Sequence, residues 1–219
     1  MTKARNDFQL RQTDRNLKAI LKGLDVKVDI AGMNSRGLVQ VLVSGEDEHV
    51  ALRYLRQSGC KQNVVRHVEA VTELACELAQ ACKERGYPVD LKLVEIGALL
   101  HDIGRSKTHT VHHAVAGAQI AKSLGLPEPV ISIIKKHVGG GIAAREAKKL
   151  GWPKDVYVPQ TIEEKIVCYA DKLVEGSRRI PIEKTVERFE QELPRSAVER
   201  IWKLHEEMLT FVGDCDCLP

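Results

Sequence analysis

Aromatic side chains are few in this chain of 219 residues: two Trp, four Tyr and three Phe make up 4% of it. With rings scarce and Leu, Val, Ile and Ala abundant, a helical core is favoured over a β-sandwich or barrel. The six cysteines (Cys60, Cys76, Cys82, Cys168, Cys215, Cys217) form no CxxC pair and are too sparse for a disulfide framework. Most read as small buried apolar residues of a reducing cytosol. The terminal Cys215-Asp216-Cys217 either sits on a frayed tail as incidental thiols or binds a metal or oxidises. Long apolar runs are also lacking. None approaches the roughly 18–20 residues that span a bilayer, and the opening MTKARNDFQL has no apolar signal core. The expectation is a cytoplasmic protein with no membrane partner. An excess of one charge is absent as well: a net +3 demands neither nucleic acid nor an anionic membrane, and it tolerates a phosphorylated substrate. No internal repeat or low-complexity segment occurs.

The length suffices for one well-filled core and a small second unit. Residues 1–58 differ in character from the rest. A helical segment at about 7–21 leads to Val26, Val28 and Ile30, which alternate with Lys27 and Asp29 in strand fashion. The turn-rich run from Met33 to Gly37 precedes a second strand through Val39, Val41 and Val43. Ser44-Gly45-Glu46-Asp47 opens a helix continuing through Val50, Leu52 and Leu55. This describes a small α+β module. A hairpin alone is marginal, so it should dock on the main domain or on a second subunit, which leaves oligomerisation open. A role in binding RNA stays open too, although its strands carry no aromatic stacking residues.

Residues 59–219 read as helical almost throughout. A helix over 62–85 aligns Val64, His67, Val68, Val71, Leu74, Ala75 and Leu78 on one stripe and ends at Gly86-Tyr87-Pro88. Further helices are expected over 91–100, over 113–124 closed by Gly125, and from Pro127 to His137. Gly139-Gly140-Gly141 breaks the chain, and a short helix and a loop occupy 142–160. Thr161-Ile162-Glu163-Glu164 resembles a capping box for the helix bearing Asp171, and a last amphipathic helix covers about 195–212.

His101-Asp102 stands at the end of the apolar run 91–100, where imidazole and carboxylate can reach one small volume as the chain turns. His67 shares a face with Val64, Val71 and Leu74, and Asp171 shares one with Val167, Cys168 and Val174. A single such His can be satisfied by a backbone carbonyl, and a single such Asp by Lys or Arg. A buried carboxylate without a partner is costly, however, and separate helices each bring His or Asp out of an apolar face in the order H…HD…H…H…D. Imidazole with carboxylate suits a divalent or trivalent first-row metal such as Fe, Mn, Co, Ni or Zn, and no cysteine at a matching position points to structural zinc. Asp102, with two oxygens, could bridge two ions, with His113 and His137 completing the second.

His67, His101-Asp102 and Asp171 resemble the H…HD…D signature of the HD-domain superfamily of metal-dependent phosphohydrolases, and HDIGR is similar to the HDIG subgroup's form of it. The segment His113-Ala-Val-Ala-Gly117-Ala-Gln-Ile resembles the H-x-x-x-G-A-x-I of two-metal members, and the run Glu164 to Asp171 resembles their K-I-x-x-x-A-D. The resemblance covers roughly 61–212 and leaves the N-terminal module outside. It extends to archaeal HDIG proteins of unassigned role and to bacterial HD enzymes that split diadenosine tetraphosphate. No GYP-type segment follows His137, which speaks against cyclic di-GMP as substrate.

The resemblance implies an HD helical bundle carrying a small N-terminal α+β module. It also implies hydrolysis of a nucleotide or related phosphoester or phosphoanhydride by metal-activated hydroxide, with one or two ions on His67, His101, Asp102, His113, His137 and Asp171. Asp102 and Arg105 would carry catalysis, with Arg105 contacting substrate. Lys107, Lys136 and the Arg178-Arg179 pair are weaker candidates for that contact or else solvated surface charges. His112 either supports the site or contacts substrate or is a solvated neighbour of His113. The glycine triplet either lets amides approach a phosphate or only ends a helix. Two other readings stand beside this one. An RNA-associated HD protein would process or sense a terminal phosphate, and a binding module would keep the ligands without turnover.

Overall fold

The computed structural model describes residues 46–213 and 215–218. The expected helix at 7–21 and the two strands around Val28 and Val41 lie outside the described residues. Within them the chain is helical, as the composition requires. Helix α1 (Glu46–Gln57) buries Ala51 and Leu55 among Val64, Val68, Leu99, Leu100 and Ile103. Pattern alone grouped this helix with the first 58 residues, but its apolar face belongs to the helical body.

Helix α2 (Gln62–Glu84) is the axis of the fold. Its expected stripe is buried on both flanks, with Val64 and Val68 in one cluster and Val71, Leu74, Ala75 and Leu78 in a larger one. Helix α3 (Leu91–Leu100) starts where Asp90 accepts from the Leu93 amide at 3.0 Å. It runs beside α2 and ends at the HD pair, after which Ile103–Ser106 forms a single 3-10 turn. The glycine of HDIG is steric in origin. A Cβ on Gly104 would stand 2.0 Å from the His113 carbonyl oxygen and 2.5 Å from the Gly117 amide nitrogen, so only glycine lets the turn lie on helix α4 (His113–Ser123).

Helix α5 (Glu128–Lys136) follows Pro127 and delivers His137 at its end. The glycine triplet then reverses the chain, all three residues with positive φ. A Cβ at Gly140 would meet Ile201 Cγ1 at 2.9 Å, and one at Gly141 would meet Val158 Cα at 2.8 Å. Close packing therefore accounts for two of the three glycines. Helix α6 (Ala144–Lys149) and a loop through Trp152 and Tyr157 lead to α7 (Ile162–Lys172), opened by the expected capping box of Thr161 and Glu164. A short hairpin, β1 (Val174–Glu175) paired antiparallel with β2 (Arg178–Arg179), then turns through Gly176. Helix α8 (Ile182–Glu192) and helix α9 (Arg195–Val212) complete the body.

The hairpin and α8 were not anticipated. Two-residue strands are too short for a period-2 signal, and α8 buries only Ile182, Thr185 and Val186 beneath a strongly charged surface. Burial raises the thiol pKa of Cys82 to about 11 and of Cys168 to about 12, as suits inert core residues. Cys215 and Cys217, in contrast, are joined by a disulfide and pack with Leu218 against the larger core cluster. No described helix is long and apolar enough to cross a membrane.

Candidate metal centre

Four imidazoles and two carboxylates converge where α2, α3, α4, α5 and α7 meet. His67 comes from the second turn of α2, His101-Asp102 from the end of α3, His113 from the start of α4, His137 from the end of α5 and Asp171 from the last turn of α7. His101, Asp102, His113 and His137 are buried, and His67 and Asp171 are half-buried at the floor of a cavity.

The ring nitrogens divide their roles. His101 Nδ1 donates to the Ala98 carbonyl at 2.6 Å, His113 Nδ1 to Thr110 at 2.7 Å, His137 Nδ1 to Ile134 at 2.8 Å and His67 Nδ1 to Gly176 at 2.9 Å. A carbonyl oxygen can only accept, so each Nδ1 carries the hydrogen and each neutral ring turns a bare Nε2 lone pair inward. These lone pairs face further acceptors. His113 Nε2 lies 2.9 Å from His137 Nε2, and His67 Nε2 lies 3.0 Å from Asp171 Oδ1. His101 Nε2 and Asp102 Oδ1 are fully buried with no hydrogen-bond partner. Acceptors packed against acceptors need a cation between them, and buried groups left so are otherwise expensive. The donor set therefore fits a metal. Ligand atoms of His67, His101 and Asp171 lie within 4.8 Å of one another, as do those of His101, Asp102 and His137.

Asp102 divides its two oxygens between the histidine pairs. Oδ2 stands 3.8 Å from His67 Nε2 and 3.7 Å from His101 Nε2, whereas Oδ1 stands 3.1 Å from His113 Nε2 and 3.5 Å from His137 Nε2. Burial works to raise the Asp102 and Asp171 pKa values. The surrounding imidazoles outweigh it for Asp102, and Lys172 with the imidazoles outweighs it for Asp171, holding both well below the usual carboxylate range. Burial also lowers His137 to about 4 against the pull of Asp102, so the ring is neutral and able to act as a ligand near pH 7. For His67 burial works to lower the pKa, but the charge of Asp171 and the hydrogen bond a protonated ring would donate to it overcome burial and raise the pKa.

The expected substrate cations fare differently. Arg105 borders the cavity, but its Nε donates to Asp102 Oδ2 at 2.5 Å, so it also holds a candidate ligand in place. Lys136 is a correction: it is buried in an ion pair with Glu164 at 2.7 Å and does not reach the cavity. Lys107 follows the 3-10 turn and points to solvent away from the cavity wall. His112 accepts from Trp152 Nε1 at 2.9 Å and likewise lies off the wall. Arg179 is pinned by both oxygens of Glu77 at 2.6 Å, and neither it nor Arg178 lines the cavity. Of the glycine triplet, only Gly139 borders it.

Two wall residues escaped the sequence reading. Lys172, next to Asp171, is buried and ion-paired to Asp171 Oδ2. Its signal was its place beside a ligand on an apolar face. His109, to which the sequence pattern assigned no role, lines the cavity and bonds to no other described residue.

A largely buried cluster of histidines and aspartates at the meeting of five helices defines a helical domain with a site that could hold a metal. Residues 64–176 match the HD domain family, and the chain belongs to that family. It is 46% identical over 151 residues to an uncharacterized protein of Methanocaldococcus jannaschii, a match covering 68% of this chain and 89% of the relative. It is 39% identical over 196 residues, 90% of the chain, to a protein of Picrophilus torridus named tRNA (cytidine(56)-2'-O)-methyltransferase, of which the match covers 55%. A relative from Acidothermus cellulolyticus named ribonuclease Y is 33% identical over 159 residues, 28% of its length. The chain thus spans about half or less of these named relatives. Among solved structures it is similar to the HD domain of phosphodiesterase PgpH from L. monocytogenes in complex with cyclic-di-AMP, with 18% identity and a TM-score of 0.47 over 76% of this chain and 98% of that one.

Proposed function

We propose that this chain is a metal-dependent phosphohydrolase acting on a nucleotide or a related phosphoester or phosphoanhydride. The observation that carries this reading is the convergence of four inward-facing Nε2 atoms on two carboxylates beside an open cavity. His67, His101 and Asp171 would hold one ion and His113 and His137 a second, with Asp102 giving one oxygen to each side. A metal bound there supplies a water of lowered pKa and polarises a phosphoryl oxygen. Lys172 balances the charge of Asp171 from behind. Arg105, its Nε committed to Asp102, has terminal nitrogens bonded to no other described residue and offers them to the charge that develops on the phosphoryl oxygens. His109 is the imidazole on the wall left to pass a proton to the departing oxygen.

The test is metal analysis of purified protein, then assay of nucleotides and dinucleoside polyphosphates with Fe, Mn, Co, Ni and Zn. Stoichiometric metal with release of phosphate or nucleotide is expected. Protein that binds no metal, or binds it and cleaves no P–O bond, would refute the reading. The relatives named for tRNA and for ribonuclease support a second reading, in which the phosphoester is the end of an RNA and the residues before 58 contact it. Short RNA oligomers with terminal phosphates belong in the same assay, and activity on them that depends on residues 1–45 would favour it.

A further inference from the structure

The cavity over the histidine cluster measures about 890 Å³, far more than a phosphoryl group fills and within the range that encloses a whole organic ligand. The wall contributed by α8 is unlike the metal end. Its last turn and the residues after it present Arg188, Phe189, Glu192, Leu193 and Pro194 to the cavity. The Arg188 guanidinium lies 4.9 Å from the centre of the Phe189 ring and is fixed by Glu175 at 2.6 Å, giving a planar, half-apolar surface.

The carboxylates on this wall are informative. Asp102 is paired with Arg105, Asp171 with Lys172, Glu146 with Arg200 and Glu175 with Arg188. Glu192 alone among the described acids of the cavity bonds to no described residue. A free carboxylate at the negative end of a helix repels phosphate, so this end of the cavity suits the uncharged part of a phosphorylated ligand. What such a carboxylate takes is an N–H donor, and what a ring beside a guanidinium plane takes is a flat heterocycle.

We propose that Arg188, Phe189, Glu192 and Leu193 form a nucleobase subsite, and that the preferred substrate is a nucleotide phosphoester whose base carries an exocyclic amine. This rests on the phosphohydrolase reading of the same cavity. The base packs on Phe189 and Leu193, and Glu192 accepts from the amine while the phosphate lies toward the histidines.

Calorimetric titration of manganese-loaded protein with AMP, UMP and ribose 5-phosphate tests it in wild type, Phe189→Leu and Glu192→Ala, with circular dichroism to check folding. Wild type is expected to bind AMP on the order of tenfold or more tighter than ribose 5-phosphate, as one stacked base supplies. Phe189→Leu should narrow that ratio several-fold. Glu192→Ala, a change at an exposed position that removes the acceptor, should erase the preference for AMP over UMP and leave ribose 5-phosphate unchanged. Equal binding of AMP and ribose 5-phosphate by wild type, or ratios unmoved in both variants, would overturn the subsite. Base-selective binding without hydrolysis of any phosphoester would instead refute the phosphohydrolase reading and leave the subsite standing.

Discussion

Asp102 meets both histidine pairs and Arg105, so its loss should be felt twice. In Asp102→Ala, the proposed bridge and the anchor for Arg105 disappear together. Hydrolysis should vanish and bound metal should fall, both read by assay and elemental analysis; full activity in this variant would end the proposed mechanism. Arg105→Ala removes one cation, which costs turnover on the order of tenfold to a thousandfold when that charge meets the transition state. Because its Nε also holds Oδ2, metal affinity should weaken by about 10- to 100-fold as well. Unchanged metal affinity would mean that Asp102 is held by its other neighbours. Position in the sequence, three residues past Asp102, suggested only the phosphate role; the shared contact needed the turn of the chain to be seen.

The elements explain which parts of the site were legible. Ligands on amphipathic faces stood out because a polar residue in an apolar stripe breaks the 3.6-residue pattern, as at His67 and Asp171. Lys136 broke the same pattern for another reason: α5 meets α7, and the amine satisfies Glu164. Periodicity marks a buried charge without saying what it faces. Glu164 also accepts from Ser132, Gln160 and Thr161. Burial works to raise its pKa, but the hydrogen bond and charge of Lys136, with the hydrogen bonds from Gln160 and Ser132, outweigh it and lower the value from 4.5. A depressed carboxylate contributes stability above its unfolded value and loses it as pH falls through the folded one. Wild-type protein should therefore lose this share only below about pH 4.5. Glu164→Gln should be less stable at pH 7, with a shallower stability loss in that acid range by denaturant titration. At the 3-10 turn, Gly104→Ala places a methyl 2.0 Å from the His113 oxygen. Overpacking of this kind costs about 1–3 kcal/mol, and the melting temperature should fall with metal retention, since His113 must move.

At the scale of the whole molecule, the metal centre is also the meeting point of five helices, and it is held by groups that repel or lack partners when no cation is present. Binding that favours the folded state stabilises it by about 2.7 kcal/mol at a hundredfold excess over Kd. Chelation should lower the melting temperature measurably, and returning manganese or iron should restore it; a melting curve indifferent to chelator would place the cluster's stability in protonated imidazoles instead. What orients each ring follows from where it finds its carbonyl. His101, His113 and His137 each donate to the residue three positions earlier, so their rings are oriented by their own local turns. His67 donates to Gly176, 109 residues away at the tip of the hairpin. Three rings come ready with their secondary structure and the fourth relies on a distant segment. Metal affinity at the His67 side should therefore depend on hairpin docking, and a lengthened hairpin should weaken ion binding there while leaving the His113 and His137 side unchanged.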